Sequence, residues 1–167
     1  MKAVAVDRKV KAGKWRIPVV FPGLDLDPNF RAIFANDGLR DRVLRETLVN
    51  AIPEDLYMYV DAEAGHIVAG LDYLRTGEEV SVYLDILHEL VHIRQWNDGR
   101  ELFDRRYAYV DRPTEVEAYG YVVGVARRLG MSDGEIADYL RVEWTSRKDH
   151  ERLCRRLGVR LRDSRAH

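Results

Sequence analysis

An α+β fold is predicted by the order of hydrophobic periods along these 167 residues. Strand-like runs rich in β-branched and aromatic residues occupy the first half, and apolar stripes of 3.6-residue period occupy the second. The punctuation agrees: a turn-forming "AEAG" separates two strand runs, and capping signals open the later helices. The length suits one domain with a sizeable buried core. The whole chain, 1–167, is read that way, with a core over about 55–130 and C-terminal helices plus a basic tail over 131–167.

Taken in order, "KWRIPVVF" (14–21) reads as a strand, and Pro18 favours an edge position because it cannot donate to a ladder. "PGLDLDPNF" reads as a loop. Leu39, Val43, Leu44, Leu48 and Ala51 recur at helical spacing, so 36–51 is expected to be one helix stopped by Ile52-Pro53. "DLYMYVD" (55–61) and "HIVAGLDYL" (66–74) form an expected β-hairpin with Gly65 in its turn. From Glu78 the period becomes helical through Val80, Leu84, Leu87, Leu90, Val91 and Ile93, ending near "NDG" (97–99). Residues 99–113 are irregular. Pro113-Thr114 opens a helix that Gly130 closes, "SDGE" (132–135) is a capping box for the next, and Ser146 starts the last, which ends at Leu157-Gly158. The result is a short antiparallel sheet backed by helices.

Composition bounds the function. No stretch approaches the ~18 apolar residues needed to span a bilayer, and the start resembles no signal peptide. With Cys154 alone, no intrachain disulfide can form. A cytoplasmic protein without a membrane partner is expected. From position 147 onward, eight Lys/Arg face three acidic residues, so this segment is +5 in a chain of net −1. Such a tail reads first as a solvated end.

The chemistry concentrates in "LHELVH" (87–92). Positions four apart on a helix differ by about 40° in azimuth and one turn in height, so His88 and His92 can offer two imidazole nitrogens to one metal. Glu89 lies about 100° round from His88, poorly placed as a ligand but able to reach a water beside the metal. Two ligands and a general base are what this HExxH spacing supplies, and one Zn2+ is the expected cofactor. A solvent-facing helix that merely contains histidines is disfavoured by the bracketing Leu84, Leu87, Leu90, Val91 and Ile93, since unpaired histidines are costly there.

A catalytic zinc usually keeps three protein ligands. His66 precedes the helix, while His150 and His167 lie far downstream; the continuation "IRQWNDG" lacks the third histidine of the metzincin pattern. "PTEVEAY" (113–119) offers two carboxylates, 200° apart on one helix. The face of Glu115 continues through Ala118, Tyr119, Val122, Ala126 and Leu129, an apolar stripe suited to packing. The face of Glu117 continues through Gly120, Tyr121, Gly124 and Arg128, which turns toward solvent, although its glycines would permit close helix approach. Glu115 is favoured and Glu117 stays open.

HELVH with a downstream Glu115-Val116-Glu117-Ala118 resembles the gluzincin clan of zinc metallopeptidases, whose ligand motif is Glu-x-x-Ala. The compact layout is most similar to the archaeal minigluzincins and, more loosely, to ImmA/IrrE-type peptidases, over roughly residues 55–130. The resemblance implies a small zincin-like domain with His88, His92 and Glu115 as ligands on an active-site helix and a backing helix, Glu89 as base, and a peptide or protein substrate. It also implies a sheet-edge strand that pairs with extended substrate, a place "HIVAGLDYL" would fill. Tyr119 stands where many gluzincins carry Asp or Asn to orient the first histidine. Tyr107, Tyr109 and His150 are the candidate oxyanion donors, each with a plainer reading: packing for the tyrosines, a helix surface for His150. Minigluzincins are held latent by their own C-terminal segments, so "GVRLRDSRAH" (158–167) is a candidate for self-inhibition, through an extended "VRLR" or through His167.

Two other classes compete with peptide hydrolysis. A non-catalytic structural or regulatory zinc protein would keep the ligands without turnover. A nucleic-acid binder would use helices 133–143 and 146–157 in a helix-turn-helix-like arrangement; Leu140, Trp144 and Leu153, expected to pack inward, argue against it.

Overall fold

The computed structural model describes residues 1–161. It is α+β, with a four-stranded mixed sheet and, among the described residues, eight α-helices. The chain divides into two compact units, Lys2–Leu102 and Phe103–His167.

The first unit holds the whole sheet. It opens with β1 (Gly13–Arg16), which passes directly into a single helical turn, α1 (Ile17–Val20). The strand expected over 14–21 therefore stops at Arg16. Pro18 sits in the first turn of α1, where its fixed φ suits a helix and its missing N–H costs nothing. The expected loop at 22–30 contains a 3-10 turn (Leu24–Leu26) and α2 (Pro28–Ile33), capped by the Asp27 side chain accepting from Phe30 N.

Next come α3 (Asp37–Glu46), capped by Asn36, and β2 (Leu48–Ile52). Here the single helix expected over 36–51 is corrected. Its last turn is a strand with Val49 and Ala51 buried and their neighbours half-exposed. A five-residue segment apolar at all but Asn50 fits either period, and pairing along both edges decides for the strand. The hairpin follows as expected: β3 (Met58–Asp61) and β4 (His66–Gly70) pair antiparallel, with Gly65 at φ 68° in the turn. Beyond Gly70 the chain turns into α4 (Leu71–Thr76) instead of continuing as strand.

Strand order is β1-β2-β4-β3. β1 and β2 are antiparallel, whereas β2 and β4 run parallel, so the sheet is mixed. β4 lies inside it, and Ile67 through Gly70 are buried as expected of a strand covered on both faces. Gly70 is required: a Cβ there would stand 2.0 Å from the Leu56 carbonyl oxygen. The unit ends with α5 (Glu79–Asn97), whose first turn is capped by the Glu78 carboxylate accepting from Val80 N and Ser81 N. α5 packs on β3 and α2. A buried relay fixes the latter contact, in which Asn29 donates to the Tyr83 hydroxyl at 2.8 Å and Tyr83 donates to Asp27 at 3.0 Å.

The second unit carries a 3-10 turn (Tyr109–Asp111) and three helices: α6 (Pro113–Arg128), α7 (Asp133–Tyr139) and α8 (Arg147–Arg156). Gly130 at φ 90° follows α6, and the Ser132–Glu135 capping box has both of its bonds. Leu140 and Leu153 are buried as expected, but Trp144 is 63% exposed and meets Tyr109 edge-on. No helix among the described residues is long and apolar enough to cross a membrane.

Candidate metal centre

α5 is buried around its circumference from Val82 to Ile93, with Asp85 as the half-exposed position. A surface helix would show one polar face; here Leu84, Ile86, Leu87, Leu90, Val91 and Ile93 point in every direction and are fully enclosed. Three polar residues of the motif share that enclosure: His88, Glu89 and His92 are only 6, 7 and 5% exposed. Polar groups are tolerated in such a place only when their hydrogen-bonding and charge are met by a specific partner.

The two imidazoles meet through the same atom. His88 Nε2 and His92 Nε2 are 3.1 Å apart, with the rings nearly perpendicular at 84°. Two nitrogens on adjacent corners of a zinc tetrahedron, each about 2.0–2.1 Å from the metal, would stand ~3.3 Å apart. The spacing of the pair thus fits a shared metal with little adjustment, and it follows directly from the i, i+4 placement read in the sequence.

A residue that the sequence reading passed over completes this arrangement. Gln95 is 0% exposed, and its Oε1 lies 2.7 Å from His92 Nδ1. A carbonyl oxygen can only accept, so Nδ1 carries the proton, and the lone-pair nitrogen of the ring is Nε2, the atom that faces His88 Nε2. The sequence signal was an amide three residues after the second histidine, in the middle of an apolar stripe. One turn before His88, Asp85 accepts a 2.5 Å hydrogen bond from the Tyr73 hydroxyl. Burial, and then the Asp85 charge beside it, push the Tyr73 phenol well above its ordinary range, so Tyr73 stays a neutral donor.

In the second unit, Glu115 lies in the first turn of α6 and is 4% exposed, whereas Glu117 is half-buried. Ala118, Tyr119, Val122 and Ala126, the stripe that continues from Glu115, are buried too. An acidic residue in the first turn is favoured by the helix dipole. The Tyr119 hydroxyl shares a 2.7 Å hydrogen bond with the hydroxyl of Tyr109. Tyr107 is exposed. His150 is buried rather than on a helix surface: its Nε2–H donates to the Ala137 carbonyl at 2.7 Å, and Cys154 Sγ lies 3.5 Å away. Burial raises the Cys154 thiol pKa, so it stays protonated.

The expectation tied to the substrate strand changes. β4 cannot be the strand that receives a substrate, because β2 and β3 already occupy both of its edges. Of the tail, residues 158–161 form no strand: Arg127 donates to the Gly158 carbonyl, and Arg160 is held by Asp133. Residues 162–167, His167 included, lie outside the described residues.

No family model matches the chain, and no curated protein or solved structure matches it.

Proposed function

We propose that the protein is a zinc-dependent peptidase in which His88, His92 and Glu115 hold one metal ion and Glu89 acts as general base. The observation that carries this reading is the buried pair of His88 and His92 on one face of α5, with their Nε2 atoms 3.1 Å apart. Glu115 suits the third place by chemistry and burial; each of the three offers one ligand atom, and all are buried. Two neutral imidazoles and one carboxylate are the donor set of many catalytic zinc sites. Zinc bound there would lower the pKa of a water and polarise a substrate carbonyl. The rest falls to the chain. Glu89, next to His88 on α5, takes a proton from the attacking water and returns it to the departing amine. The enclosed walls of α5 keep competing water away and strengthen the electrostatics within. An extended peptide or unfolded protein is the substrate class, and a cytoplasmic setting, in which the single Cys154 stays a thiol, accompanies this reading.

A second reading, a non-catalytic zinc protein, is favoured by one observation: each of these four side chains is at most 7% exposed. Metal content of protein purified without added zinc, followed by digestion of unfolded protein, separates the two. The peptidase reading expects about one zinc per chain and cleavage that falls about 10²–10⁴-fold in Glu89→Gln with zinc retained. Zinc without cleavage in both proteins supports the non-catalytic reading. Full zinc occupancy in both His88→Ala and His92→Ala would overturn the metal site itself.

A further inference from the structure

We infer that Gln95 is the positioning residue of the metal centre: by accepting from His92 Nδ1 it fixes that ring in the tautomer whose Nε2 can ligate. This rests on the metal reading above and adds to it the group that sets metal affinity.

Fully buried positions of α5 are otherwise filled by Leu, Ile and Val, apart from Tyr83 and the motif residues. An amide in such a place loses its hydration and costs free energy unless it is hydrogen-bonded. Leu or Met would fill similar volume without that cost, so packing alone does not call for glutamine at 95. What the amide has is a 2.7 Å contact to the one ring nitrogen of His92 that does not face His88. On a helix, position i+3 lies about 60° round from i and one turn along, close enough for a side-chain amide to reach an imidazole. The backbone around Gln95 is fixed as well, because Arg100 N donates to its carbonyl at 3.0 Å where the helix closes.

The choice of amide over carboxylate has a consequence. Gln95 is neutral, so it orients the His92 ring through its carbonyl oxygen without adding a charge beside it. A carboxylate would hold it more strongly through a charge-assisted bond and would make His92 a more basic ligand. Gln95 therefore gives orientation with moderate affinity.

The test uses the full chain and zinc alone. Zinc affinity is measured by competition with a chromophoric chelator for wild type, Gln95→Leu and Gln95→Glu, and the metal-free proteins are compared by circular dichroism. Gln95→Leu is expected to bind zinc about 10–100-fold more weakly, and Gln95→Glu at least as tightly as wild type. Imidazole ¹⁵N shifts of metal-free wild type are expected to show His92 protonated at Nδ1 and bare at Nε2, a signature that loss of packing alone would not move. Equal zinc affinity of wild type and a folded Gln95→Leu would overturn the inference, as would an Nε2-protonated His92 in wild type, which needs no variant to fold. Failure of the metal reading looks different: wild type itself would bind no zinc at micromolar concentration.

Discussion

Replacing Gly65 by alanine should detach the hairpin tip from the end of the motif helix. Gly65 has φ 68°, in the left-handed region, where a side chain costs about 1–2 kcal/mol. A Cβ would also stand 2.6 Å from the Trp96 ring, closer than real contacts allow. Trp96 must then move, and its indole N–H loses the 2.8 Å bond to the Ala62 carbonyl, worth about 0.5–1.5 kcal/mol net. Together these give about 2–3 kcal/mol, or a fall of about 4–12 °C in Tm for a chain of this size. Urea denaturation of Gly65→Ala, Trp96→Ala and the double variant separates the parts. Without the indole only the backbone cost remains, so Gly65→Ala should lose about 0.5–1.5 kcal/mol less in the Trp96→Ala background. Additive effects of the two substitutions would refute the clash and leave backbone strain as the whole cause.

Other outcomes follow from the same structure. Glu115→Ala should weaken zinc binding more than about tenfold and Glu117→Ala hardly at all, read by chelator competition; the reverse order would move the third ligand to the other helix face. Hydrogen bonds from Arg106 hold the Asp104 carboxyl down at about 2, against an ordinary 3.8. A depressed carboxyl stabilises fully above pH ~4 and loses its contribution as pH falls toward 2, so wild type should lose more stability than Asp104→Asn between pH 5 and 2.5 in denaturant melts. Asp111, held low mainly by its hydrogen bonds from Arg152, should behave in the same direction. If the tail restrains the proposed peptidase, a chain ending at Gly158 should cleave peptides several-fold faster than the full chain at equal zinc content; equal rates would remove that role.

What could be read from the residues alone was the local part. The i, i+4 histidines, the hairpin around Gly65, the Ser132 capping box and the buried face of Glu115 each depend on neighbours within a turn or two, and the chain writes such features directly. Strand β2 was hidden because Leu48 and Ala51 extend the helical period of α3, and only the long-range pairing of Val49 with Trp15 on one side and Ile67 on the other overrides it. The place of β4 inside the sheet was hidden for the same reason: nothing local says which strand lies next to which. Gln95 was missed because one amide in an apolar stripe looks like a packing defect until its partner is seen. His150 was misjudged by its position on a charged helix, whose buried side is narrow.

The strand order also bears on synthesis. β3 leaves the ribosome before β4 yet has no partner until β4 inserts between it and β2. A nascent chain that stops short of His66 carries a two-stranded ribbon with the β2 edge open as well as the β1 edge, and an orphan strand bearing exposed Tyr59, the kind of surface that recruits other chains. The segment that closes the sheet is followed within 18 residues by His88. Completion of the scaffold and delivery of the helix that carries His88 and His92 are therefore nearly one event, and translational pausing near residue 65 should raise aggregation more than pausing near residue 100.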